Sequence, residues 1–341
     1  MPAKRIEYID LAKGFCILLV VFVHANSAFL GGAQFALQDA LESFRMPLYF
    51  FLSGLFFKPY EGCIGFLKRK VNKLLIPFLF FIVSCFIMPL LNRTSFEWHT
   101  LWDFLFRQGD FVNGPLWFLI CLFWLNQIFY AVYKVAFAGR WPVTVIVILS
   151  SSIGLAGFHM GGTVYDIKPM NIDTALTALP FFAAGYLCNR HTEILYPNRW
   201  DKYLPYVTVA CAAYTIWMAK GSFRWFLNMY EANAWVTYTS ALSGVFCVLA
   251  VSKMLTRLPI VSYFGRYSIM ILVTHMPFMQ RVMPLLFRLS LPQWWMTSLL
   301  GTLIVSLSYL LLIPLMKRYL PYVTAQKDLI PIKGNKCSST H

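Results

Sequence analysis

The sequence predicts an all-α, polytopic membrane protein of about ten transmembrane helices, with its amino and carboxyl termini in the cytoplasm. Three observations carry that prediction. Of 341 residues, 59% are hydrophobic and 18% aromatic while only 13% are charged, which is not the balance of a soluble domain. Uncharged runs at 14–38, 74–92, 111–133, 232–252 and 289–316 each supply the roughly 18 or more residues that carry a helix across hydrocarbon. Lys and Arg concentrate in alternate loops, the pattern that records the orientation of membrane helices.

The first span, 11–30, opens at Leu11; it is too long for a cleavable signal and holds His24 in its interior. The second, 43–57, is short and contains Arg45. The third, 74–92, follows the basic run Lys68, Arg69, Lys70 and Lys73. Gly-Pro and Pro breaks begin the fourth, 115–134, and the fifth, 142–159. The sixth, 174–189, is again short, and the seventh, 203–219, stops at Lys220-Gly221. The eighth, 233–252, lies between Glu231 and Lys253. The ninth, 260–281, carries Arg266, and the tenth, 294–316, stops at Lys317-Arg318. Residues 1–325 form one transmembrane domain and 326–341 a polar, basic cytoplasmic tail. The longest connection, about 93–114, is too short to fold alone.

With the amino terminus inside, the inner segments hold 19 Lys and Arg and the outer loops 7. Lys13, Arg45 and Arg266 fall within or at the edge of spans. The net charge of +15 therefore records topology rather than nucleic-acid binding. The cluster from Lys68 to Lys73 can also attract anionic lipid heads or a phosphate-bearing cytosolic ligand. Cys16, Cys85, Cys121, Cys188, Cys211 and Cys247 lie inside apolar runs, so small buried thiols are expected and disulfides are not.

An ionisable side chain within a bilayer is costly and marks a functional site by default. At 100° per residue, Lys13 and His24 lie about 20° apart on the first helix and Asp10 within about 40° of His24. The three make one polar stripe, with Lys13 and His24 separated by about 16 Å along the axis. A coenzyme A thioester fits such a stripe, its phosphates at Lys13 and the basic loop and its acyl carbon at His24. A near-neutral imidazole suits general-base catalysis or a transient acyl bond. A snorkelling Lys13 and a His24 that only bonds a neighbouring helix would give the same stripe.

Four segments, taken in order, carry a resemblance. They are Arg5-Ile-Glu-Tyr-Ile-Asp10-Leu-Ala-Lys13-Gly14 through Val23-His24; Phe44-Arg45-Met46-Pro47-Leu48-Tyr49-Phe50-Phe51-Leu52-Ser53-Gly54 with Leu75-Ile-Pro77-Phe78; Gly114-Pro115-Leu116-Trp117-Phe118-Leu119; and Phe264-Gly265-Arg266-Tyr267-Ser268 with His275. In combination they resemble the acyltransferase-3 integral-membrane acyltransferases, in particular the fucose 4-O-acetylase-like branch. Lys13 stands where many members have Arg, which replaces a two-pronged phosphate contact by a point charge. Arg45 stands where many have His, so no role of that histidine carries over.

The resemblance implies transfer of an acyl group, usually acetyl, from a cytosolic coenzyme A thioester to a hydroxyl of a surface glycan or lipid-linked precursor at the bacterial inner membrane. Acetyl-CoA is then a cosubstrate and no bound cofactor is implied. His24 becomes the catalytic centre. Lys13 is expected at the donor's phosphates with Lys68, Arg69, Lys70 and Arg266, while Asp10, Arg45, Tyr49, Ser53, Trp117, Tyr267, Ser268 and His275 are candidates for the cavity or the acceptor. Ser268 and His275, seven apart, share a helix face. Trp98, Trp102, Trp225, Trp294 and Trp295 are expected mostly in packing or the interfacial aromatic belt, and Asp110 and Asp173 as solvated carboxylates near helix starts.

No HExxH, metal-spaced Cys/His set, phosphate-cradling glycine loop or dinucleotide fingerprint occurs, and no metal is expected. Two other functions fit ten apolar helices: a transporter or flippase of glycans or glycolipids, and a non-enzymatic assembly protein of envelope synthesis. The absence of two matching helix-rich halves argues against the transporter. A non-enzymatic protein would tolerate replacement of His24.

Overall fold

Helix α1 (Glu7–Phe29) is the axis about which the bundle is built, in a computed structural model that describes residues 6–29, 37–60, 62–91, 98–107, 113–161, 169–190, 196–289 and 293–332. After it come α2 (Gln38–Leu55) and α3, which runs Gly62–Lys70, passes through a π-helical turn at Val71–Leu75 and continues as Ile76–Leu91. Next are α4 (Trp98–Phe106), α5 (Trp117–Ala136) and α6 (Pro142–Gly161). They are followed by α7 (Ile172–Arg190), α8 (Leu204–Met218) and α9 (Ala234–Leu255), and then by α10 (Pro259–Arg266), α11 (Ser268–Phe287) and α12 (Trp294–Tyr319). Helix α1 packs on α2, α9, α10, α11 and α12, while α3 packs on α5, and α7 lies between α2 and α6.

Among the described residues each predicted span overlaps a helix, the ninth overlapping two. Among the described residues, seven helices are long and apolar enough to cross a membrane: α1, α3, α5, α6, α9, α11 and α12. Helix α2 falls short because it carries Asp39, Glu42 and Arg45, α7 because Asp173, Thr174 and Thr177 dilute it, and α8 because it has 15 residues.

The structure corrects several expectations. The span placed at 260–281 is two helices, because the backbone leaves the helical region at Tyr267 (φ −114°, ψ 25°). Arg266 therefore ends a short helix instead of lying within a long one. The connection at 93–114 contains a helix of its own, α4. A two-stranded antiparallel hairpin, Phe223–Arg224 with Met229–Tyr230, joins α8 to α9. Trp225 at its tip is 2% exposed and packs on Phe50 and Phe181, which is the packing role, the first of the two expected for it. Asp173 is buried at the start of α7, whose end the hairpin covers through a bond from the Thr174 hydroxyl to the Trp225 carbonyl. Cys16, Cys85 and Cys121 are buried thiols, whereas Cys188, Cys211 and Cys247 are half-buried. Asp110 lies outside the described residues.

The chain beyond α12 folds back on the π-helical turn. The buried Asn72 side chain accepts the N–H groups of Leu329 and Ile330 and donates to the Ile330 carbonyl at 2.9 Å. Lys73 pairs with Asp328 at 3.1 Å. The start of the predicted tail is thus strapped to the basic segment of α3.

Close backbone approach holds α1 in place. A Cβ on Gly14 would meet the Val261 carbonyl of α10, and one on Gly265 would meet the Asp10 carbonyl and the Gly14 N–H. Small residues at such crossings let membrane helices pack by dispersion where no hydrophobic force between them exists. Gly265→Ala is expected to destabilise the fold by about 1–3 kcal/mol. Gly65→Ala, where an added Cβ meets nothing within 4 Å, is expected to gain roughly 0.5–1 kcal/mol from helix propensity. Thermal melting of the purified variants in detergent measures both.

Candidate active site

Two histidines meet inside the bundle. His24 of α1 is half-buried and His275 of α11 is fully buried. Their ring centroids are 5.2 Å apart with the planes tilted by 44°. The Nδ1–H of His275 donates to the carbonyls of Ile271 and Leu272, each at 2.9 Å. Both partners are acceptors, which places the proton on Nδ1 and leaves a lone pair on Nε2. That Nε2 is buried and has no partner among the described residues.

Local sequence explains how His275 is held. Pro277, two residues on, has no N–H to give to the Val273 carbonyl one turn back. Asn113, just before the Gly-Pro-Leu-Trp segment, supplies the missing donor from its side-chain amide at 2.8 Å. A free carbonyl in an apolar interior is expensive, so Asn113 belongs to the support of this site, although no spacing rule singled it out. Its readable signal is an amide next to an apolar run, set against a helix interrupted by proline.

Arg45 of α2 is half-buried, and its charge acts on His24. Its backbone carbonyl accepts the Cys16 thiol at 2.9 Å, and its Nη1 is buried without a partner among the described residues. Further along α1, the Lys13 carbonyl accepts the Tyr49 hydroxyl at 3.2 Å, and Tyr49 also meets the Ser268 hydroxyl. The Lys13 ammonium lies over the Phe56 ring at 4.8 Å. Ser53, one turn from Tyr49, is half-buried on the same side of α2. Asp10 lies where Gly265 crosses α1. Five predicted residues, Lys13, Tyr49, Ser268, His24 and His275, thus line one interface between α1, α2 and α11.

The remaining predicted residues are more dispersed. Arg266 is exposed and lies over the ring of its neighbour Tyr267 at 5.8 Å. The Tyr267 hydroxyl accepts the ammonium of Lys317, at 3.0 Å, in the last turn of α12. Lys317 was legible only as a topological charge, and it completes a cationic rim with Arg266 at the Lys13 end of the bundle. Lys68 is exposed, Arg69 lies over Tyr60 at 4.1 Å and Lys70 over Phe66 at 5.2 Å. Their helix packs on α5 and not on α1, so they reach the Lys13 side only around the end of α2, where Phe66 stacks near Phe57. Trp117 is buried against Phe118 and Phe226 and serves packing.

Seven membrane-length helices, with a histidine pair inside the bundle and cations at one end of the same helix interface, define a multi-pass membrane protein. An acyltransferase-domain family model, acyltransferase-3, matches residues 6–313. The chain belongs to that family, whose members are acyltransferases, and it is an enzyme of that class. No curated protein and no solved structure matches the chain. Among the described residues no cluster of His, Cys, Asp and Glu is arranged to hold a metal ion.

Asn113→Leu removes the donor to the Val273 carbonyl. It is expected to cost about 1–3 kcal/mol, the penalty of an unsatisfied buried acceptor. It should also lower the turnover number more than it raises the Michaelis constant for the acyl donor. Paired melting and steady-state measurements test this.

Proposed function

We propose that the protein moves a short acyl group, acetyl in the first instance, from a cytosolic coenzyme A thioester to a hydroxyl of a surface glycan or lipid-linked precursor at a bacterial inner membrane. In this reading ten helices cross the bilayer, both termini are cytoplasmic, and the branch is the fucose 4-O-acetylase-like one. The observation that carries the reading is the half-accessible His24 ring 5.2 Å from the ring of a sealed His275 whose Nε2 is buried, about 16 Å along α1 from a cationic end.

The donor's phosphates meet Lys13, Arg266 and Lys317, with Lys68, Arg69 and Lys70 as outer contacts, and the pantetheine runs past Tyr49, Ser53 and Ser268 toward His24. His24 takes the proton of the acceptor hydroxyl as the sugar oxygen attacks the thioester carbonyl carbon. The carbon–sulfur bond then breaks, and the proton passes to the departing thiolate. His275 accepts a hydrogen bond at Nε2 from the protonated His24 ring after a small rotation of that ring. The unpartnered Arg45 N–H stabilises the oxyanion. Relay of the acetyl group through the His24 ring uses the same groups.

Acetyl-CoA labelled in its acetyl group, supplied with a crude glycan extract, tests the proposal. Label on alkali-labile glycan esters with wild type but not with His24→Ala supports it. Neither transfer nor acetyl-CoA binding by folded wild type would overturn the donor assignment. His24→Ala is expected to lose transfer by about 10²–10⁴-fold, the contribution of a positioned base. Lys13→Ala should mainly raise the Michaelis constant for acetyl-CoA, and Lys13→Arg should retain activity, which steady-state kinetics resolve.

A further inference from the structure

A cavity of about 650 Å³ lies on the far side of α2 from Tyr49, between α1, α2, α7, α8 and α9. It is the size of a ligand site, yet none of the polar groups of the histidine site lines it. Phe51, Leu55, Leu204 and Phe246 form its depth, while Asn198, Asp201 and Lys253 form its rim. Helix α8 packs chiefly on α9, and the cavity wall it supplies continues into exposed apolar surface at Val207. The cleft is therefore lateral and open toward the surroundings of the bundle.

Its rim has the chemistry of a membrane interface. Trp200 and Tyr203 are 61% and 44% exposed, as belt residues are. The rim carboxylate Asp201 is neutralised by Lys253 at 2.6 Å, and Glu7 nearby by Arg257 at 3.6 Å. Arg199 and Lys202 lie exposed over the rings of Trp200 and Tyr203, each at 5.0 Å. The rim thus keeps a surplus of positive charge above an apolar hole.

We propose that this cleft binds one anionic phospholipid, with an acyl chain in the cavity and the phosphate at Arg199 and Lys202. Apolar depth selects a chain, and charge at the rim selects an anionic head over a zwitterionic one. The proposal does not depend on the acyl-transfer chemistry.

Native mass spectrometry of the full chain in detergent, titrated with phosphatidylglycerol and with phosphatidylcholine of the same acyl chains, tests it. Wild type is expected to retain one phosphatidylglycerol and to prefer it by at least fivefold, about the effect of one basic residue near a charged lipid surface. Arg199→Gln with Lys202→Gln should erase the preference while leaving chain binding. Val207→Trp, on the exposed face of α8, should fill the cleft and lose both lipids with an unchanged melting temperature. Equal retention of the two lipids by wild type, retention of none, or undiminished phosphatidylglycerol on a folded Val207→Trp protein would each overturn the proposal. The surface charge pair keeps the test decisive if the tryptophan variant does not fold.

Discussion

Two glycines bring α1 and α10 so close that the Asp10 carbonyl meets Gly265 and the Val261 carbonyl meets Gly14, and the polar contacts of the site inherit their positions from that crossing. A helix in an apolar setting has no hydrophobic reason to choose one rotation about its axis, because every face is equally at home. Backbone contact at a residue without a side chain supplies the reason. With α1 fixed there, its polar stripe faces α2 and α11, and Tyr49 finds the Lys13 carbonyl while the rings of His24 and His275 face each other. A side chain at position 14 or 265 would push the helices apart and turn the stripe away from its partners.

The second constraint is that backbone groups within the bundle must be satisfied without water. Pro277 breaks that rule locally, and the repair by Asn113 explains why an otherwise apolar connection carries an amide immediately before Gly114. The His275 ring obeys the same rule from the side-chain end, since its buried Nδ1–H needs an acceptor and finds the Ile271 and Leu272 carbonyls. Holding one nitrogen this way commits the other to be an acceptor. A functional group emerges from a packing requirement, because a ring whose Nδ1–H is held by helix carbonyls cannot also turn its second nitrogen away.

This division also explains what was legible in the sequence. The Lys13–His24 stripe was readable because it lies on one continuous helix, where 100° per residue converts spacing into direction. The helical architecture was readable because uncharged runs are long. The facing of His24 and His275 was not, since 251 positions separate them and only the tertiary crossing brings them together. The break at Tyr267 was hidden because Gly265 reads as an ordinary small residue until α1 is laid against it. Trp117 and Trp225 could not be assigned to packing, cavity or belt from sequence, because an aromatic ring has the same composition signal in all three roles. Lys317 was indistinguishable from the charges that set orientation.

Helix α2 carries the consequence furthest. Its first turn is tied to the hairpin, through Asp39 accepting the Gly221 N–H at 3.0 Å and the Glu42 carbonyl accepting the Trp225 indole at 3.2 Å. Its last turn runs into the aromatic cluster of Phe57 with Phe66, Phe129 and Phe182. Its last two turns approach α7 where Gly54 and Gly185 face the carbonyls of Phe182 and Phe51. A helix pinned at both ends holds Arg45 and Tyr49 at fixed heights along α1. Groups that act together on one reacting bond require that kind of support. The half-buried Arg69 and Lys70, held over the rings of Tyr60 and Phe66, present their charge from a different helix, outside the support that holds the site.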